Sequence, residues 1–390
     1  MGATWTRSEN EILATLQDVV AIDSVNPSLP GGVARAEAGM VDYLAAFFTD
    51  LDIPYELAEA LPGRNNIIAT LEGADPERVL LFECHMDTAS VEVMTIPPFE
   101  PHIRDGMLYG RGSCDTKAGG VAMIHAMKRL KESGTVPPLT IAYAGAVDEE
   151  YLMRGARHLA PTVKVEAAVI AEPTDLEVIR GHKGVVRFHI IASGKAAHSS
   201  KPYLGINAIN KMARLIVRLE ETLGPEYKAK SDPLLGNPTF NIGLIEGGMQ
   251  VNFVPDSCRI AVDVRIIPGD TPAGIIADFE RVIAAATIED PELNAQIEQP
   301  LSFTCGALGT PENAAVVESS AAACRAVLGD VTIAGVPYGT DGSPFGDQGV
   351  PAVVLGPGSI DQAHGAVEWV ECEQVLKAVE IYHHIMTNTK

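Results

Sequence analysis

Residues 79 to 120 decide the reading of this chain. They run Val79-Leu80-Leu81-Phe82-Glu83-Cys84-His85-Met86-Asp87-Thr88-Ala89 and, after a connection, Gly110-Arg111-Gly112-Ser113-Cys114-Asp115-Thr116-Lys117-Ala118-Gly119-Gly120. The apolar run Val79 to Phe82 suits a strand buried on both faces of a parallel sheet. It delivers His85 and Asp87 at its carboxyl end, the edge of an open α/β sheet where ligands sit. The two are two residues apart, so on extended chain their side chains point the same way. One use for such a pair is a metal-binding imidazole whose other nitrogen is fixed by a carboxylate. Asp115 stands where glycine-broken chain gives way to a helical pattern. A lone His-x-Asp reads as a structural pair, so the rest of the chain has to decide.

Upstream, Ser8 can cap a helix through about Ile22, with Glu11 in capping-box position. Met40, Val41, Leu44, Phe47, Phe48 and Leu51 form one apolar helical face. Asp23-Ser24-Val25-Asn26-Pro27 is a loop between these helices, and residues 65 to 71 read as a strand. Downstream, a helical pattern from Thr116 to about Glu132 is closed by Gly134 and Pro137-Pro138. Leu139 to Val147 is a second buried strand and ends in Asp148-Glu149-Glu150. Ala167 to Ala171 is a third and ends in Glu172-Pro173-Thr174. One acidic strand end is ordinarily a solvated cap. Three strands bringing acids or imidazole to one sheet edge would crowd carboxylates that cannot all stay ionised without a cation.

After Gly181 the pattern changes. Strands at Val185 to Ala192, Thr239 to Glu246, Ser257 to Ile267 and Asn294 to Glu298 alternate with helices at Ile206 to Leu219 and Thr271 to Ala285. The order β-α-β-β-α-β is the split βαβ unit of a ferredoxin-like domain. The α/β pattern then resumes with a helix near Pro311 to Leu328, strands near Val331 to Ala334 and Ala352 to Leu355, and a final helix carrying Val375, Val379, Tyr382 and Met386 on one face. The expected architecture is an α/β catalytic domain with a mixed central sheet flanked by helices, in two parts (residues 1–181 and 298–390). A ferredoxin-like α+β lid or dimerisation domain (residues 182–297) is inserted between them.

The 390 residues are enough for two cores, since single cores rarely grow past roughly 250–300 residues. Lys plus Arg number 29 against 51 Asp plus Glu, a net charge of −22, which argues against nucleic acid or an anionic membrane surface as partner. Six scattered cysteines without a Cys-x-x-Cys pair suggest free thiols in a reducing compartment. The first ten residues lack the apolar core of a signal peptide, and no stretch reaches the ~18 apolar residues of a membrane span. A cytoplasmic location is expected.

The resumed segment adds Ala363-His364-Gly365-Ala366-Val367-Glu368-Trp369. His85, Asp115, Glu150, Glu172 and His364, with Glu149 beside them, are two imidazoles and three carboxylates of the kind that zinc accepts. Five ligands are one too many for a single tetrahedral site. With one bridging carboxylate they fit two metals about 3.5–4 Å apart. In these motifs the chain resembles the co-catalytic zinc aminoacylases and carboxypeptidases, a family that includes acetylornithine deacetylase, succinyl-diaminopimelate desuccinylase, aminoacylase and glutamate carboxypeptidase. The resemblance spans nearly the whole chain and keeps the motif order His-x-Asp, Gly-Arg-Gly-x-x-Asp, Asp-Glu-Glu, Glu-Pro-Thr, His-Ser-Ser and a final His.

The resemblance implies that Asp115 bridges, with His85 and Glu172 on one metal and Glu150 and His364 on the other. Asp87 would orient His85, and Glu149 would be the general base. A cis peptide is implied between Asp115 and Thr116. His198, in Gly194-Lys195-Ala196-Ala197-His198-Ser199-Ser200, matches a lid histidine that stabilises the oxyanion. Asn252 matches a lid asparagine near the substrate, and Arg265 an arginine that grips the substrate carboxylate, a bidentate task suited to guanidinium. Arg265 could instead pair with Asp263, and His198 could merely pack in the lid. Cys84 and Cys114 read as small buried thiols. Ala89, Thr116 and Ala118 depart from the commonest family pattern and leave the substrate open.

The implied activity is metal-dependent hydrolysis of the amide of an N-acyl-amino acid, with dipeptidase or carboxypeptidase action as the alternative. Two divalent ions are expected, zinc first and cobalt or manganese next. The expected partners are a small-molecule N-acyl-amino acid or dipeptide and a second copy of the chain, in a homodimer through the inserted domain. A nicotinamide dehydrogenase is excluded because Asp115 occupies the third glycine position after Gly110-x-Gly112. A non-catalytic metal-binding scaffold sits poorly with Glu149 beside all five ligands.

Overall fold

Residues 5–390 are described by a computed structural model. The chain divides into two compact units. The first takes the residues up to Gly181 together with Gly309–Gly335 and Thr340–Lys390. The second takes His182–Leu308 and Val336–Gly339. It runs past residue 297 because Phe303–Cys305 pairs with the long strand Gly184–Ser193.

The main sheet of the first unit contains β1 (Tyr55–Leu61), β2 (Arg64–Leu71), β3 (Asp75–His85), β4 (Leu139–Ala146), β5 (Ala167–Ile170), β6 (Val178–His182) and β7 (Ala352–Val354) among its strands. Their order in the sheet is β1-β2-β4-β3-β5-β7-β6. The pairs β4/β3, β3/β5 and β5/β7 are parallel, and β1/β2, β2/β4 and β7/β6 are antiparallel. The parallel strands β4, β5 and β7 are buried throughout, as strands covered by helices on both faces must be.

Register then fixes the edge. His85 lies opposite Ala146, Glu83 opposite Ile170, and Val354 also opposite Ile170. The residues that follow β3, β4, β5 and β7 therefore leave the sheet side by side. Helices α1 (Arg7–Val20), α2 (Ala38–Asp50), α3 (Lys117–Ser133), α4 (Ala315–Leu328) and α5 (Cys372–Asn388) supply the rest of one continuous core. In it Phe82 meets Tyr382 edge to face at 5.9 Å, and Val375, Val379, Tyr382 and Met386 are all buried.

Helix α1 starts two residues earlier than expected. Thr6, not Ser8, is the cap: its hydroxyl accepts from Glu9 N at 3.2 Å while the Glu9 carboxylate accepts from Thr6 N at 2.6 Å. Thr6-x-x-Glu9 and Ser8-x-x-Glu11 are overlapping versions of one signature, and the first prevails. Helix α3 ends as expected on Gly134, which is left-handed at φ 68°. All six cysteines are unpaired and buried. No helix among the described residues is long and apolar enough to cross a membrane.

The second unit has its own core. Its sheet runs Thr239–Gly247, Ser257–Ile266, Gly184–Ser193, Asn294–Ile297, all antiparallel, and the helices Ala208–Ala229 and Pro272–Glu289 pack on it. Numbered along the chain, these strands stand in the order 2-3-1-4, the arrangement of the split βαβ unit. Strict alternation of burial along Ser257–Ile266 gives that sheet one covered and one open face. Thr239–Gly247 is the edge strand, and its Leu244 and Ile245 are exposed.

Candidate metal centre

His85 is the last residue of β3, and its imidazole is buried. Its Nδ1 faces the main-chain carbonyl of Asp87 at 3.0 Å and its Nε2 faces Asp115 Oδ1 at 3.1 Å. Asp115 Oδ2 lies 3.2 Å from His364 Nε2, which is itself 3.0 Å from Glu150 Oε2. Asp115 thus turns one oxygen to each imidazole. Two sets of donor atoms result, His85–Asp115–Glu172 and Asp115–Glu150–His364, each with its atoms within 4.8 Å of one another.

Neutral or anionic N and O donors at this spacing fit a divalent cation. Donor atoms around a tetrahedral zinc with bonds of ~2.0–2.1 Å stand roughly 3.3 Å apart. Glu150 Oε1 is buried without a hydrogen-bond partner, the condition of a ligand oxygen kept for an ion.

The electrostatics point the same way. Burial pushes the carboxyls of Glu149, Glu150 and Glu172 above the usual carboxylate range, and neighbouring carboxylates add to it. Burial also opposes ionisation of Asp115, but hydrogen bonds from His364 and His85 and the charges of both imidazoles hold its carboxyl below that range. The same bonds to Asp115 and Glu150 hold His364 up to about 11. Without a cation, protons are the only positive charge this cluster can recruit.

Glycines let the chain take this path. Gly112 is left-handed at φ +80°, and a Cβ there would meet the Thr88 methyl at 2.8 Å. At Gly120 a Cβ would meet Cys84 Sγ at 2.7 Å, so α3 sits close against the end of β3 only because the position is bare. The peptide between Asp115 and Thr116 is cis. Burial pushes the thiols of Cys84 and Cys114 up, so both are neutral packing groups and not thiolates.

A profile of the peptidase family M20/M25/M40 matches residues 81–388. The chain belongs to that family. It is a hydrolase, similar over nearly its whole length to a deacetylase and a probable desuccinylase. It is 31% identical over 386 residues to the acetylornithine deacetylase of Vibrio campbellii, covering 96% of this chain and 97% of that one. It is 27% identical over 413 residues to a probable succinyl-diaminopimelate desuccinylase of Staphylococcus aureus, with 97% of each covered. The fold matches the aminopeptidase PepT of Bacillus cereus with a TM-score of 0.79 at 23% identity, over 97% of this chain and 98% of that one.

In this M20 chain the Asp87 carboxylate is not turned to His85, from which its nearer oxygen is 3.7 Å away. It accepts instead from the main-chain N–H groups of Glu149 and Glu150, both at 3.1 Å, and from Asn26 Nδ2 at 2.7 Å. Asp87 therefore fixes the Glu149–Glu150 segment and meets His85 through its carbonyl. The remaining expected residues belong to the second unit. His198 pairs with Phe253 across a two-residue ladder, and Ser199 N donates to the Asn252 carbonyl at 3.0 Å. The exposed His198 ring is 2.8 Å from Ser200 Oγ. Arg265 Nε donates to Asp263 at 2.8 Å, so the ion pair weighed against a substrate role does form.

Sequence reasoning passed over several buried polar residues of the first unit. Asn26 links Asp87 to Asp148, and Arg64 and Arg154 hold Asp148 from outside. Glu83 and Asp341 are carboxyls pushed up by burial, Glu83 to about 8. Lys117 Nζ donates to the carbonyls of Val19 and Ile22 at the end of α1. The available signal was a charged residue inside an apolar run, as at Glu83.

Proposed function

We propose that the chain hydrolyses the amide of an N-acyl-α-amino acid at a centre of two divalent cations. The observation that carries the proposal is the shared carboxylate: Asp115 belongs to both three-residue donor sets. The full-length relatives named acetylornithine deacetylase and succinyl-diaminopimelate desuccinylase support the acyl-amino acid over the dipeptide.

In this reading His85 and Glu172 hold one cation, Glu150 and His364 the other, and Asp115 bridges. Zinc suits the donor set best, with cobalt or manganese as substitutes. The chemistry such a pair supplies when bound is an acidified water and a polarised amide carbonyl. Glu149 takes the water's proton and returns it to the leaving amine. In the metal-free protein burial pushes its carboxyl above the usual carboxylate range. Its backbone is held by Asp87 and its neighbour Glu150 is a ligand, so the base is placed from both sides. From the second unit, His198 donates to the oxyanion, Asn252 lies near the substrate, and Arg265, its Nε held by Asp263, binds the substrate carboxylate through its terminal nitrogens. The exposed edge strand Thr239–Gly247 is the surface through which two copies pair.

A panel of N-acetyl, N-succinyl and dipeptide substrates, assayed with and without a chelator, tests the reading. Chelator-sensitive turnover of acyl-amino acids is expected. Turnover confined to dipeptides would replace the substrate class, and chelator-resistant turnover would remove the metals.

A further inference from the structure

We propose that Glu368 is a positioning residue for the metal centre, its carboxylate fastening the Asp115 loop to the chain segment that carries His364. The inference rests on the two-cation reading. Glu368 lies four residues after His364 and immediately before the strand Trp369–Glu371, which pairs antiparallel with Met107–Tyr109. That pairing sets Glu368 beside the Gly110–Asp115 loop, and Gly110 N donates to the Glu368 carbonyl at 3.1 Å.

The side chain is fully buried, and its two oxygens accept four hydrogen bonds. Oε2 takes Arg111 Nη1 at 2.6 Å and Gly112 N at 3.1 Å. Oε1 takes Cys114 N at 2.9 Å and Asp115 N at 3.0 Å. One of these donors is the main chain of the bridging ligand itself. Arg111, buried as well, extends the clamp by donating from Nη2 to the Ser90 carbonyl at 2.7 Å, three residues past Asp87.

Three loop N–H groups without this carboxylate would be buried orphans, and the loop would have to move to satisfy them. Metal–ligand distances hold to within about 0.2 Å of their preferred values. The carboxylate touches no donor atom of the centre. It acts through the backbone of Asp115, and the carbonyl of the same residue anchors the return from His364.

Glu368→Gln tests this, because it keeps the side chain's volume but sets an NH2 group against N–H donors. Zinc binding to chelator-stripped protein is followed by calorimetry, and the melting temperature of the same metal-free sample is recorded. Leu44→Ala in α2, a core change away from the centre, controls for lost stability. Zinc affinity is expected to fall about 10–100-fold in Glu368→Gln, the usual effect of losing a partner behind the ligands, and to stay unchanged in Leu44→Ala. If Glu368→Gln does not fold, Arg111→Gln serves, with a several-fold loss expected. Unchanged zinc affinity in the folded variant, with a melting temperature lowered as in Leu44→Ala, overturns the positioning role and leaves the two-cation reading intact. A wild-type chain that takes up no zinc overturns both.

Discussion

Glu149 and Glu150 are consecutive, yet the structure gives them different surroundings. Glu150 Oε2 meets His364 within a donor set, while Glu149 belongs to neither set, although burial and neighbouring acids push both carboxyls up. Glu149→Ala is therefore expected to keep both metals by elemental analysis and to lose roughly 10²–10⁴-fold in kcat. Turnover near wild type in that variant would remove Glu149 from the mechanism. Asp115→Ala should lose metal as well as activity, since both donor sets need it; two metals retained would break the bridge assignment. His364 offers a separate test. Held up to about 11, it carries a proton at neutral pH in the metal-free protein, and a cation needs the neutral ring. Metal binding should release protons, and affinity should climb as pH rises from 6 to 8. Calorimetry in buffers of different ionisation enthalpy reads the release directly, and a buffer-independent heat would contradict it. His85, Glu150 and Glu172 were legible because each ends or follows a buried apolar strand, and Asp115 because it stands where a glycine-rich loop meets a helical pattern. Glu368, Asn26 and Asp341 were not, because their partners are main-chain groups or distant side chains that no spacing rule connects.

At the scale of the elements, segments with a clear apolar run were legible, the short β5 and β7 among them, and exposed or mixed ones were not. Helix α3 and the strands β3 and β4 follow from apolar runs closed by glycine and proline. Strand β1 carries Glu56 and Glu59 and is largely exposed, and β6 mixes Arg180, Gly181 and His182 into its five residues, so neither makes a distinct pattern. The helix Arg154–Leu159 starts on Met153, which is left-handed at φ 54° and has no capping side chain, so no start signal exists. One contact between elements predicts acid sensitivity. His125 of α3 is buried against α1, with Nε2 2.9 Å from Thr15 Oγ1, and burial holds its pKa down to about 4 from 6.5. The unfolded chain then binds a proton at pH 5 that the folded chain refuses. Stability is full above pH 6.5 and falls as pH drops toward 4. The loss from this residue is about 2 kcal/mol at pH 5. His125→Gln should flatten the change in unfolding free energy between pH 7 and pH 5 by about that amount in denaturant titrations. An unchanged slope would show that His125 is not the sensor.

For the whole molecule, the exposed edge of the second unit and the lid motif around His198 motivate a mixing experiment. His198→Ala and Glu149→Ala are each expected to be nearly inactive. If His198 completes the site of the partner subunit, a mixed dimer holds one site with both residues intact, and activity should return after subunit exchange. Demonstrated exchange without recovery would confine His198 to its own chain. A different consequence follows from the strand order β5-β7-β6. Strands β5 and β6 are separated by a few residues in the chain, yet β7 lies between them and is made about 180 residues later. At a ribosome's pace of ~5–20 residues per second, the gap stays open for roughly ten seconds or more. During that time the second unit can fold on its own core. The emerging first unit, meanwhile, presents an unfilled slot, parallel toward β5 and antiparallel toward β6, lined with main-chain donors and acceptors. Nascent chains halted before residue 352 should therefore be the ones that chaperones hold longest.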